Sequence, residues 1–312
     1  MKAYIINASG GETLLPELLS WDVYHGLGEP CDYFDLSFPY EDDMSAELAA
    51  ACRFRAEHDG ETVFYGVVDE YEISLDKNGC TCSVSGRSLA ALLLDNEAEA
   101  ATYDVIGQDA VIRDHVSPYG IGRIDRQQMQ PLSGFSVSTG DSEWSVLKRF
   151  CRYSADIQPY FDRTGTLMLR KPTGKSISIP RGAQIISVRF VDRRYGIISE
   201  MLVKSRYTGR RYTVRNEEFL SRGGCARHVL TVPRNSGADK MRYTGQYQIG
   251  ESLRDKKFVE LCLPELFAAF PGDVLRLDGA LPGLNGEFAV VSSRCTANGS
   301  GYGTTLKLEA KE

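Results

Sequence analysis

The chain has 312 residues, of which 42% are hydrophobic and 25% charged, with a formal net charge of −6. That length suits about two or three domains, and the composition is that of a folded chain with real cores, not a disordered or collagen-like one. No apolar run approaches the roughly 18 residues of a membrane helix, and the opening MKAYIINASGGETL lacks the apolar centre of a signal peptide, so neither membrane nor secretory character is expected.

The charge is unevenly placed. Residues 1–112 hold 22 acidic side chains against 5 basic, whereas residues 113–260 hold 14 against 27. Crowding like charges on one small domain is unfavourable. The split suits acidic and basic surfaces that face each other, within the chain or between copies, with a basic nucleic-acid face as the alternative.

In chain order, a first strand is expected over Ala3–Ile6. The stretch DMSAELAAACRFRAEH predicts a short helical piece that leads into a strand, because Cys52, Phe54 and Ala56 alternate. Asp59-Gly60 and Asn78-Gly79 both stand between alternating runs and predict hairpins, since these residues tolerate positive φ. Next comes GRSLAALLLDNEAE. Ser88 is expected to cap a helix starting at Leu89, with Leu89, Leu92 and Leu93 on one face and Asp95-Asn96 at its end. Glu97 and Glu99 then lie beyond the helix, where its dipole does not oppose them.

Residues 100–175 read as mixed α and β. A short helix in DAVIRDHVSPYGI stops at Ser117-Pro118. A firmer helix in GDSEWSVLKRFCRYSA is capped by Asp141 or Ser142 and presents Trp144, Leu147 and Cys151 on one face. The turn DRTG then closes a hairpin. From 176 onward the pattern is β-rich, with a hairpin at Gly209, a loop-like SGADKMRYTGQ, a helix interrupted at Pro264, and three or four closing strands separated by Gly-rich turns.

Catalytic chemistry is not legible. The eight cysteines lack metal-ligand spacing and read as reduced, mostly buried thiols. The four histidines are scattered, and no G-x-S-x-G, P-loop or dinucleotide fingerprint is present. Acidic clusters such as EDDM at 41–44 and VVDEYE at 67–72 could in principle supply a glycosidase pair. The stretch Arg189–Arg227 interleaves arginine with Tyr195, Tyr207 and Tyr212, which suits phosphates and stacked bases but equally a charged, subunit-facing edge. The acidic N-terminal third favours a protein partner for it. No catalytic residue, metal or cofactor is therefore assigned.

The ordered pattern Phe64-x-Gly66-x-Val68-Asp69, then Gly79 to Ala98 with its V-x-G-R-S-L-x-x-x-L-x-D-N-E-A, resembles the tail hub (baseplate hub) proteins of bacteriophages and phage-tail-like particles. These include the Mu-type hub, the late-control D proteins and the hub-like part of type VI secretion spikes. The Trp144 helix followed by the D-x-x-G-x-L hairpin is similar to the same family, as is the closing PGDVLRLDG…LNGEFAVVSSRC…TTLKLE. The resemblance is not clear over 1–50 and 210–265.

The resemblance implies a mainly β chain with α/β insertions: two small β-barrels flanking a mixed α/β middle. The expected boundaries are a barrel over 1–99 closed by the short helix, an α/β domain over 100–175, and a second barrel over 176–312 with an insertion around 210–265. It implies a non-enzymatic, cofactor-free homotrimer whose six barrels mimic a hexamer, joining a tail tube to a central spike within a baseplate assembled in the host cytoplasm. Other baseplate components, such as a LysM-bearing protein, are expected partners; a membrane is not, and nucleic acid is disfavoured. Complementary interfaces are expected from Arg189, Arg193, Arg194, Arg206, Arg210 and Arg211 against Asp42, Asp43, Glu97 and Glu99, which would chiefly set register. Leu89, Leu92, Leu93 and Trp144 are expected to pack. The competing readings are a tail-associated cell-wall hydrolase and a nucleic-acid-binding module using 189–227.

Overall fold

The computed structural model describes every residue except 29, 41–43, 78, 181, 233–237, 255, 282–283 and 312. The chain is mainly β, 49% strand and 18% helix, as the sequence implies. It divides into two compact units, one formed by Met1–Ser187 with Leu261–Glu312 and the other by Val188–Glu260.

The first unit opens with β1 (Lys2–Asn7), β2 (Glu12–Leu14), β3 (Ser20–Gly26), β4 (Tyr33–Pro39), helix α1 (Ser45–Ala50), β5 (Ala51–His58), β6 (Glu61–Asp76) and β7 (Gly79–Ser88). These strands form an antiparallel sheet in the order β2-β1-β5-β6-β7-β4-β3. The expected hairpin at Asp59-Gly60 is present, with both residues at positive φ (51° and 81°), the geometry that lets a two-residue turn follow the strand twist. In the second expected hairpin Asn78 lies outside the described residues, and Asp76 pairs with Gly79 across the turn. Alternation sends Phe34, Phe54 and Phe64 to the inner face, where the Phe34 and Phe54 rings stack at 3.7 Å. Fully burying side chains of this size stabilises by roughly 1.5–3 kcal/mol each, so these rings anchor the first core.

The middle stretch carries α2 (Ala91–Leu94), β8 (Ala101–Ile106), α3 (Gln108–His115), β9 (Ile124–Arg126), β10 (Leu132–Val137), α4 (Glu143–Ala155), β11 (Tyr160–Phe161), β12 (Leu167–Leu169) and, beyond it, β13 (Ser176–Ile179). Ser142 caps α4 by accepting a hydrogen bond from the Ser145 amide, and Asp156 ends it at φ 51°. Trp144, Leu147 and Cys151 are buried on one face of α4, flanked by Val146 and Phe150. Two sequence expectations are corrected at the entrance to this region. Ser88 ends β7 and is not a helix cap, and α2 starts only at Ala91, with no side-chain cap. Moreover, Leu89 and Leu93 join the core of Trp144, Leu147 and Phe150, with Leu92 packed partly buried against it, and they are not in the phenylalanine core of the first sheet. The short helix thus packs into the core that α4 builds, which Val67 of β6 also enters.

The second unit contains most of β14 (Ser187–Asp192), then β15 (Glu200–Ser205), β16 (Arg211–Arg215), α5 (Glu217–Ser221), β17 (Arg227–Val232), α6 (Ala238–Leu253) and the start of β18 (Lys257–Leu263). Its sheet runs β16-β15-β17, with β16 antiparallel and β17 parallel to β15. The expected hairpin turns through Gly209 at φ 64°. Two further expectations are corrected. The loop-like stretch is largely α6, which packs Met241 and Ile249 into the core of Met201 and Val203. The helix expected before Pro264 is β18, whose Val259, Leu261 and Leu263 are buried at strand spacing.

The chain finishes in the first unit with β19 (Val274–Leu281), β20 (Leu284–Asn298) and β21 (Gly301–Ala310). The first half of β20 pairs with β19 and its second half with β3, while β21 runs along its other edge. β20 therefore carries the N-terminal sheet into the C-terminal strands, and β13 adds to them beside β19. No closed ring of strands forms among the described pairings.

Candidate assembly interface

The motif residues from 64 to 98 make a junction. Gly66 and Gly86 lie on β6 and β7 where the register shifts between Val68 and Glu70. Arg87 donates from Nε and Nη2 to Asp69 (2.6 and 2.9 Å) and from Nη1 and Nη2 to Asp95 (3.0 and 2.7 Å). A planar guanidinium suits two carboxylates at once, and Arg87 holds the Asp95 carboxyl below its usual range. The arginine of G-R-S thereby ties the aspartate of V-V-D to the aspartate of D-N-E. The serine of the motif donates or accepts at Cys31 (3.3 Å) and accepts from the Asp32 amide (3.3 Å).

The expected interface residues are placed as follows. Asp42 and Asp43 lie outside the described residues. Glu97 and Glu99 are exposed beyond α2, and Glu97 accepts a hydrogen bond from the Gly140 amide at 2.8 Å. In the second unit, Arg189 pairs with Glu260 at 2.9 Å and Arg193 lies over the Phe258 ring at 5.4 Å. Arg194, Arg206, Arg210 and Arg211 are exposed, and Tyr195 is 93% exposed. The unit Val188–Glu260 holds 16 Lys and Arg against 8 Asp and Glu, and the remainder of the chain 20 against 34. The basic portion read from the sequence thus straddles the boundary: residues 113–187, with 11 Lys and Arg against 6 Asp and Glu, belong to the first unit.

Three clusters were not visible in the sequence. Glu200 on β15 accepts from Arg215 (3.2 Å) and from Arg227, which flank it on both neighbouring strands. His25 is buried between Asp32 (Nδ1 to Oδ2, 3.1 Å) and the Val63 carbonyl (Nε2, 2.9 Å). His115 and Glu143 are buried and bonded at 2.6 Å, with the Tyr119 hydroxyl donating to the same carboxylate at 2.8 Å. His115 and Glu143 are 28 residues apart, so no spacing rule could pair them. A cavity of about 410 Å³ is lined by His25, Asp32, Asp125, Arg163, Arg170 and Phe270. Its charges are cross-paired: His25 with Asp32, Arg170 with Asp125 at 2.9 Å, and Arg163 with Glu61 at 2.7 Å. Among the described residues no group of three or more His, Cys, Asp or Glu is placed to hold a metal ion.

The thiols differ sharply in exposure. Burial pushes Cys31 and Cys82 up to about 11 and Cys151 up to about 12, whereas Cys225 is exposed. A raised pKa lowers the thiolate fraction at pH ~8, and the thiolate is the reactive form. Maleimide at that pH should therefore label Cys225 first in the native chain, with Cys82 and Cys151 modified only after unfolding. Peptide mapping checks the order; native labelling of Cys151 as fast as Cys225 would contradict the described core.

No family profile matches the sequence, and no curated protein matches it. Solved structures do match in fold. The tail protein of Neisseria meningitidis MC58 superposes with a TM-score of 0.78 at 16% identity, over 98% of this chain and 95% of that one. The 43 kDa tail protein of prophage MuSo2 from Shewanella oneidensis gives 0.79 at 16% identity, over 99% and 98%. The E. coli c3393 protein, a type VI secretion component described as similar in structure to T4 tail proteins gp27 and gp5, gives 0.60 at 11% identity, over 95% and 74%. The chain thus has the fold of phage tail proteins along essentially its whole length.

Proposed function

We propose that the chain is a structural component of a phage tail or phage-tail-like particle, and within it the baseplate hub. In this reading three copies form a ring with pseudo-sixfold character that joins the hexameric tail tube to the trimeric central spike. Other baseplate proteins, a LysM-bearing one among them, dock around it. The observation that carries the reading is the match in fold to two tail proteins over nearly the whole chain. The segregation of positive charge into Val188–Glu260 supports it further, because head-to-tail contacts in a closed ring need unlike surfaces on one protomer. The motif residues also act structurally: Gly66, Asp69, Gly86, Arg87 and Asp95 bind β6, β7 and α2 to one another. Sedimentation of the chain mixed with the tube protein of the same particle tests the reading. The expected species contains three copies of this chain per tube end; a strictly one-to-one complex would contradict it.

A further inference from the structure

The first unit has an edge strand that its own core leaves uncovered. β5 pairs with β6 only as far as Val67, so among the described residues Glu70 to Leu75 have a strand on one side alone, β7. Tyr71, Ile73 and Leu75 stand opposite Val84, Cys82 and Cys80, so they continue the core-facing row. Val84 and Cys82 are fully buried, yet Tyr71, Ile73 and Leu75 are 42%, 43% and 81% exposed. Glu70, Glu72 and Ser74 take the other face. An exposed apolar edge of this kind pairs readily with another strand, and charges along it decide which one.

The second unit offers the complementary edge. β16 ends its sheet, with Arg211, Thr213 and Arg215 exposed on one face and Tyr212 and Val214 half-buried toward the α6 side. Set antiparallel, EISLD (Glu72–Asp76) and RYTVR (Arg211–Arg215) match at five consecutive positions. Glu72 faces Arg215, Ile73 faces Val214, Ser74 faces Thr213, Leu75 faces Tyr212 and Asp76 faces Arg211. Cross-strand pairs of these kinds are each favourable, and a slip by one residue would set charge against apolar side chains.

We infer that β6 of one copy extends the three-stranded sheet of a second copy by pairing antiparallel with its β16 in this register. The inference rests on the self-association proposed above and specifies one of its contacts. Like-with-like pairing is disfavoured on the same grounds: two β6 edges would bring acids together, and two β16 edges would set Arg211 opposite Arg215. The contact is therefore between unlike surfaces, the kind that propagates around a ring instead of ending at a dimer.

Cysteine cross-linking of the full chain tests it. In a Cys225→Ala background, one pool of chains carries Ser74→Cys and another Thr213→Cys. Directly opposed strand residues fall within disulfide reach. The expected result is a covalent heterodimer on mixing under mild oxidation, with the disulfide between positions 74 and 213 located by peptide mass, and little dimer from either pool alone. Adding Glu72→Lys should lower the yield roughly two- to fivefold, as like charges then face each other. Trimers that sediment normally but never form this bond would overturn the inference and leave the hub reading standing. In a chain carrying both Ser74→Cys and Thr213→Cys, a bond found only within single chains would overturn it too. A chain that stays monomeric with tube protein present, and never cross-links, would overturn both.

Discussion

Gly86→Ala should abolish soluble, folded protein or lower its unfolding free energy by at least the top of the ~1–3 kcal/mol range seen for overpacked cores. Gly86 pairs with Phe34 on one side and Val68 on the other. A Cβ there would stand 2.0 Å from the Val67 carbonyl oxygen and 2.8 Å from the Phe34 ring. The carbonyl belongs to β6 backbone and cannot swing away, and Phe34 is stacked on Phe54. Gly66 meets the mirror problem, with its added Cβ 2.1 Å from the Arg87 carbonyl oxygen. The two glycines of F-x-G-x-V-D and V-x-G-R-S-L are thus what allows β6 and β7 to approach at the register shift. Gly122→Ala, where nothing lies within 4 Å, is the matched control and should be nearly silent. Urea unfolding of the three chains checks this; a Gly86→Ala chain as stable as the control would refute the described packing.

Leu93→Ala should cost about 2–5 kcal/mol, the range for removing a fully buried leucine whose site cannot collapse. Leu93 has no exposed surface and sits in the core that also holds Trp144, Val146, Leu147 and Phe150. The surrounding rings and branched chains leave little room to close the cavity. Leu92→Ala, half-buried on the same helix, should cost distinctly less. The contrast is measurable by thermal or urea unfolding. It also reports which core α2 serves: the Trp144 fluorescence should shift in Leu93→Ala, because that tryptophan belongs to the same core.

Much of this architecture was legible where local chemistry and tertiary packing agree. Asp59-Gly60 turns as expected, the cap falls on Ser142, one of the two residues expected there, and Trp144, Leu147 and Cys151 share one helical face. Where the reading failed, packing overrode the local signal. Gly245 makes α6 look like a loop, yet Met241, Gly245 and Ile249 recur every four residues, and the missing side chain at 245 is what lets the helix approach Val214 and Val203. In β18 the run KFVELCL, expected as helix, has its buried residues 259, 261 and 263 at a strand period. Ser88 carries a capping side chain, but its backbone is still in β7 and its hydroxyl is used by Cys31 and Asp32. The motif positions were found by order alone. Their physical reasons, a backbone contact at Gly86 and a guanidinium shared by Asp69 and Asp95, needed coordinates because the partners are 8 to 18 residues from Arg87.

The charge split shows the same limit from the other side. Sequence counts revealed an acidic and a basic portion, but not that the basic portion is divided, with 188–260 a separate compact unit and 113–187 part of the first one. Nor could counts tell solvated arginines from committed ones. Arg215 and Arg227 bond Glu200 and Arg189 bonds Glu260 while staying exposed, so Arg215, like Arg211, still presents its guanidinium on the edge strand. These differences decide which residues are worth changing in an assembly experiment.

Whether copies of this chain close into a ring at the end of a tail tube is measured most directly by electron microscopy of the particle-bound chain, averaged in end view. The expected image is a ring of three copies in which each contributes two similar lobes, so that six lobes surround one axis. A single copy on the axis, or copies scattered along the tube wall with no ring, would contradict the hub assignment.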